Sequence, residues 1–254
     1  MASQMVARPR LVVPVVFALA SLAACGGDKD SADGATPTTA ANAPDSTATG
    51  ADSTTATDAG TTSTFTAEVW ADNWFSLYVN GVLVGEDSVS IDTERSFNAE
   101  TITFTASYPL TIAMVTKDFK ETDSGLEYIG TDRQQMGDGG FIAQFTDTTT
   151  GQVVAVTSGE WHGLAIHRAP LNTDCDTSAS PDTDCQFETL AEPEGWFNAG
   201  FDDSAWVAAN TYSADDVGAK DGYNEISWDA SAALIWTSDL KVDNTILWRF
   251  TATG

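Results

Sequence analysis

From Phe65 to Gly254 the chain never sustains a helical hydrophobic period over the ten or more residues that an ordinary helix needs. It is instead a succession of short alternating or apolar runs: "FSLYV", "VLVG", "TITFTA", "LTIAMVT", "FIAQFT", "QVVAVT", "WHGLAIH", "ALIW" and "TILWRFT". Gly, Asp, Asn and Pro punctuate them. Many short strands with turn signals predict an all-β fold, an antiparallel β-sandwich or barrel. No period of 20 to 50 residues recurs, which excludes a solenoid or propeller. A folded segment of about 190 residues suits one core.

The stretch "ADNWFSLYVNG", residues 71–81, shows the pattern at its clearest. Alternation places Phe75, Leu77 and Val79 on one face and Trp74, Ser76 and Tyr78 on the other. Asn80-Gly81 is the pair that a type I′ hairpin prefers, because both central residues need positive φ, and "VLVG" is the returning strand. The aliphatic face should meet the core. Asn80 is read as a turn residue.

The N-terminus sets the compartment. Arg8 and Arg10 precede an apolar run, Leu11 to Ala20, that is too short to span a bilayer, so residues 1–24 read as a signal peptide. It ends in "LAAC", which resembles the lipobox of bacterial lipoproteins and makes Cys25 the lipidation site. Acyl chains on Cys25 would hold the protein to a membrane. By the sorting rule of enteric bacteria, Gly26 after that cysteine points to the outer membrane. Residues 25–64 are Ser, Thr, Ala, Gly, Asp and Pro with almost no large apolar side chain, and are predicted to be a disordered tether. The β domain is expected over 65–254.

Charge excludes some partners. The net charge is −26, about −28 once the leader's two arginines are gone. Nucleic acid and anionic lipid both require Lys and Arg to neutralise phosphates, so neither is expected. An acidic surface suits a salty medium and also attracts divalent cations.

Of three cysteines, Cys175 and Cys185 flank a short polar loop, "TDCDTSASPDTDC", and an exported pair so placed should be a disulfide. Asp174, Asp176, Asp182 and Asp184 crowd the same loop. Hard oxygen ligands suit Ca²⁺, which makes these four the calcium candidates, although the EF-hand spacing is missing and a solvated acidic loop is the alternative. A second acidic, glycine-rich stretch carries Asp123, Glu127, Asp132 and Asp138, and is expected to be a solvated loop.

No catalytic constellation emerges. There is no G-x-S-x-G elbow, H-E-x-x-H or P-loop. His162 and His167 lie five apart on an expected strand and should point to opposite faces. A non-catalytic protein is therefore predicted.

Two segments do carry a resemblance. "GWFNAGFDDSAWVAANTYS" followed by "ALIWTSDLKVDNTILWRFT" resembles the galactose-binding-domain-like modules of bacterial rhamnosidases and β-galactosidases. The matching residues are Trp196, Phe201, Asp202, Asp203, Ser204 and Trp206, then Ile235 and Trp236, then Arg249 and Phe250. "LYVNG", Leu77 to Gly81, matches a further element, with the order of the two motifs reversed here. The resemblance implies a jelly-roll sandwich, a class in which many members bind glycans or cell-surface polymers and some hold a structural calcium.

Eight tryptophans then become informative, since sugar recognition pairs an aromatic face with fixed polar groups. Large aromatics also build sandwich cores. Trp236 and Trp248, in strongly apolar runs, are expected there. Trp196, Asp202, Asp203 and Trp206 read first as a structural turn and are the weaker ligand candidates. Trp74, Tyr78 and Trp161 are the platform candidates. The expectation is an envelope-anchored binding or adhesion module for a glycan or cell-surface polymer. A calcium-stabilised structural or matrix protein is the reading from another class, and an extracellular hydrolase is a third.

Overall fold

The computed structural model describes residues 62–92 and 97–254; the predicted leader, Cys25 and the predicted tether up to residue 61 lie outside the described residues. Its strands in chain order are β1 (Thr62–Asp72), β2 (Trp74–Val79), β3 (Val82–Glu86), β4 (Ala99–Ser107), β5 (Leu110–Lys117), β6 (Leu126–Glu127), β7 (Gln135–Met136) and β8 (Gly140–Asp147). There follow β9 (Gln152–Val156), β10 (His162–Arg168), β11 (Glu188–Thr189), β12 (Val207–Ala208), β13 (Asn210–Tyr212), β14 (Leu234–Trp236) and β15 (Asp243–Ala252). One sheet runs β13-β14-β8-β1-β4 with β9 beside β8, and the other runs β11-β10-β15-β5-β2-β3 with β12 beside β10. The pairings are antiparallel, so the predicted all-β antiparallel sandwich is what forms. Each run named from the sequence lies on a strand.

Alternation decides what faces inward. From β1 come Phe65, Ala67, Val69 and Ala71, and from β2 come Phe75, Leu77 and Val79, all buried in one cluster between the sheets. The Asn80-Gly81 turn has φ of 51° and 84°, as the hairpin requires. Asn80 also ties this turn to the next one: its Nδ2 donates to the Ser107 carbonyl at 2.9 Å and its Oδ1 accepts from the Thr111 amide at 2.8 Å. Trp236 and Trp248 are fully buried, with indole nitrogens donating to the Asp243 carbonyl (2.9 Å) and the Thr116 hydroxyl (2.9 Å).

Both outer sheet faces are partly covered. On the first sheet Trp70, Ile142, Val217 and Leu234 form a second cluster beneath Tyr223 and Trp228. On the second sheet Ala113 and Leu247 lie under Trp196, with Phe197, Phe201 and Trp206 around it. The loop between β10 and β11 is closed by the Cys175–Cys185 disulfide, Cα to Cα 5.4 Å. Leu126 of β6 packs on that bridge, and Gln134 donates to the carbonyls of Asp176 and Ser178 (2.8 Å each), so the second acidic stretch is pinned to the first.

Candidate functional site

Directly opposed residues of antiparallel strands share a face, so register lays out the outer surface of the second sheet in rows. Trp74 opposes Lys117, Lys117 opposes Thr245, and Thr245 opposes His167, one row across β2, β5, β15 and β10. Ser76, Val115, Leu247 and Leu164 form the next, and Tyr78, Ala113, Arg249 and His162 the third.

Residues 190–206 cover the third row and part of the second. Trp196 is buried against Ala113 and Leu247, with its indole donating to Glu192. Arg249, 4% exposed, donates from Nε to Asp203 at 3.0 Å and from Nη1 to the Trp196 carbonyl, and lies over the Phe201 ring. Asp202 is exposed and accepts from the Ser204 amide at 3.1 Å. The reversed motifs therefore meet in space: Tyr78 of "LYVNG" stacks on Phe197 at 4.9 Å and is edge-on to Trp196 at 5.8 Å.

The first row is left open. A groove of about 570 Å³ runs over it, floored by Trp74, Lys117 and Thr245, and bordered by Ser76 and Tyr78, by Ile166, and by Phe119 and Lys120. The Lys117 ammonium lies 4.7 Å from the centre of the Trp74 ring. Thus the sequence-predicted platform resolves into parts. Trp74 is half-buried and opens into the groove, while the ring of Tyr78 stands at its border, stacked under its own chain.

Trp161 is a correction. It is fully buried, stacked on Phe250 at 5.5 Å, and its indole donates to the Val156 carbonyl at 2.8 Å. It shares the inner face with Gly163, whose missing side chain makes room for Trp248. The histidines are a second correction. A bulge in β10 between Ala165 and His167 adds one residue, so His167 opposes Thr245 on the outer face that His162, opposite Arg249, also occupies. The two still stand apart, two rows away from each other.

At the Trp74 end the groove abuts a buried acidic group. Asp118 is 3% exposed, and neither of its oxygens, nor the neighbouring Asn244 amide nitrogen, makes a well-formed hydrogen bond. Burial holds the Asp118 carboxyl well above its usual range, with Asp72, Glu127 and Asp138 adding to the rise and Asn244 opposing it. Asp72 is raised by burial first and then by Asp138. Glu127 and Asp138 were expected to be solvated, yet Glu127 is buried and Asp138 half-buried, because β6 and β7 turn that loop into a hairpin against the domain. Asp123 and Asp132 are exposed as expected. His167 Nδ1 lies 3.0 Å from Asn244 Oδ1 and Nε2 lies 3.4 Å from Asp123. Burial, then Lys120, holds the His167 pKa below its ordinary value.

Of the four aspartates of the disulfide loop, Asp174 and Asp176 lie in a 3-10 turn, Thr173–Thr177, and Asp182 and Asp184 in a single helical turn, Pro181–Asp184. Asp184 accepts from the Ser178 hydroxyl at 2.5 Å, and Asp174, Asp182 and Asp184 are exposed. Among the described residues no three His, Cys, Asp or Glu side chains are grouped so as to hold a metal ion, in that loop or elsewhere. Lys117, Thr245 and Phe119 were not singled out from sequence, since their meeting with Trp74 depends on strand register. No family model, curated protein or solved structure matches the chain.

Proposed function

We propose that this protein is a non-catalytic carbohydrate-binding or adhesion module, carried on the cell envelope by a lipid at Cys25 and the tether that follows. One observation carries the binding part: Trp74 opens into a groove whose floor also presents the Lys117 ammonium and the Thr245 hydroxyl. Such a site offers an apolar ring to the C–H face of a pyranose and polar groups to its hydroxyls. The resemblance of the "LYVNG" and "FDDSAW" segments to glycosidase-associated modules supports the same reading. In the second sheet, though, the aromatic motif is structural support for the groove and Trp74 is the contact.

A glycan array with the full chain, run with calcium and with chelator, tests this. Saturable binding lost in Trp74→Ala is the expected result. No binding to any glycan, with calcium raising the melting temperature, would favour the structural or matrix reading. The anchor has a separate test, since Cys25→Ala should release the protein from membranes.

A further inference from the structure

The chain has 11 Lys and Arg against 37 Asp and Glu, so a cation that stays out of ion pairs is available to an outside anion. Among the described residues Lys117, Arg133, Lys220 and Lys241 are such cations, and of these four Lys117 is the one that lines the groove over Trp74. Among the described residues it enters no ion pair, although Lys120 is paired with Asp123 at 2.8 Å, Arg168 with Asp243 at 2.7 Å and Arg249 with Asp203 at 3.0 Å. Its ammonium is held instead over the Trp74 ring, in the middle of the groove floor. Ring contact orients a cation yet leaves its N–H donors to be satisfied from the open side.

The acids around the groove do not neutralise it. Glu192 and Asp92 also line the groove, Glu192 accepting from the Trp196 indole and Asp92 from the Ser90 hydroxyl at 3.2 Å, and among the described residues neither forms an ion pair with Lys117. Asp118, at the Trp74 end of the groove, is 3% exposed, and burial, then Asp72, Glu127 and Asp138, hold its carboxyl well above its usual range. The floor thus presents the Lys117 ammonium beside the Trp74 ring, with the carboxylates at the walls and end of the groove.

We propose that the groove selects acidic sugars, glycans with a hexuronate residue whose carboxylate accepts from Lys117 while its pyranose ring lies against Trp74. This rests on the carbohydrate reading above and narrows it to a class. A carboxylate on C5 of a pyranose projects from the ring edge, so ring stacking and an ammonium bound beside the same indole address one residue together. Neutral hexoses offer only a hydroxyl there, and a charge-assisted hydrogen bond is about twice as strong as a neutral one.

The test uses the full chain and short oligosaccharides of galacturonate, glucuronate, mannuronate and guluronate, each beside its carboxyl-reduced neutral counterpart. Short probes at physiological ionic strength keep the repulsion of the acidic surface to within about 8 Å of each charge. Calorimetric titration should show at least one uronate binding about tenfold more tightly than its reduced form, the worth of about 1.4 kcal/mol. Lys117→Met should bring that ratio to about one while the reduced sugar binds as before, and Lys117→Arg should keep most of the preference. Trp74→Ala should lose both. If reduced and acidic forms bind equally, or if Lys117→Met leaves the ratio intact, the acidic-sugar proposal is wrong and the carbohydrate reading stands. If no member of either series binds and the array is also blank, both fall.

Discussion

Asp203→Ala should loosen the cover of the second sheet, and its cost follows from what it strands. Arg249 is 4% exposed, and its Nε donates to Asp203 Oδ2 at 3.0 Å. Breaking a buried pair by removing one partner typically costs about 3 to 5 kcal/mol, most of it the penalty of an uncompensated buried charge. Two features here reduce that. The Asp203 side chain is 29% exposed, so part of its charge is screened, and Arg249 keeps the Trp196 carbonyl as an acceptor. A loss of about 2 to 3 kcal/mol is expected. Guanidinium unfolding followed by tryptophan fluorescence measures it, with an unchanged m-value showing that only stability moved. Arg249→Met added to Asp203→Ala removes the stranded guanidinium and should recover about 1 kcal/mol or more. Asp202→Ala is the control, because that residue is exposed and holds only a turn amide, and it should leave the midpoint nearly in place. If Asp203→Ala costs under about 0.5 kcal/mol, or if the two substitutions simply add, the motif does not clamp this cover and a ligand role for Asp203 becomes the better explanation.

Two further outcomes are expected. Burial holds the Asp87 carboxyl up to about 6, with Glu100 adding to the rise and the Val89 amide opposing it. A folded pKa above the unfolded one gives stability that is present below about pH 4 and lost as pH rises through about 6. Asp87→Asn should therefore remove a loss of about 3 kcal/mol at pH 7 and lessen the fall of the melting temperature between pH 4 and 8, whereas a variant with the parent's pH curve would refute this assignment. Replacing Cys175 and Cys185 by Ser should cost about 2 to 3 kcal/mol through the reopened loop, read by chemical denaturation. An unchanged midpoint would mean that the Gln134 bonds to Asp176 and Ser178 hold the loop by themselves.

The strands and their inner faces were legible because the period of two is local. Phe75, Leu77 and Val79 point to the core as alternation requires, and Asn80-Gly81 turns as its φ preference requires. The strand at Thr62–Asp72 was less visible: its first residues are Thr and Ser, and they join the sheet only because Ser107, Ala106 and Thr105 oppose them. Parity could also have placed Trp161, which is two residues from Gly163 and four from Ala165 on the inner face. The β10 bulge could not be read in the same way. An extra residue is invisible to a pattern of two, so the relation between His162 and His167 came out reversed. The groove lay beyond local reach, since Trp74, Lys117, Thr245 and His167 become neighbours only through the order β2-β5-β15-β10. The acids about Asp118 are the same lesson in charge: Asp72 and Asp118, both buried, and the half-buried Asp138 lie at the ends of different elements, and sequence spacing treats each as an ordinary turn acid.

The course of β1 bears on how the groove is presented. It starts at Thr62, opposite Ser107 next to the Asn80 turn, and ends at Asp72, two residues before Trp74. Eleven extended residues span about 35 Å, so the chain enters the sandwich at one end and the Trp74 mouth of the groove opens at the other. The length of β1 therefore separates the first described residue from the groove, so that a label fixed at Thr62 would report on the domain without crowding Trp74.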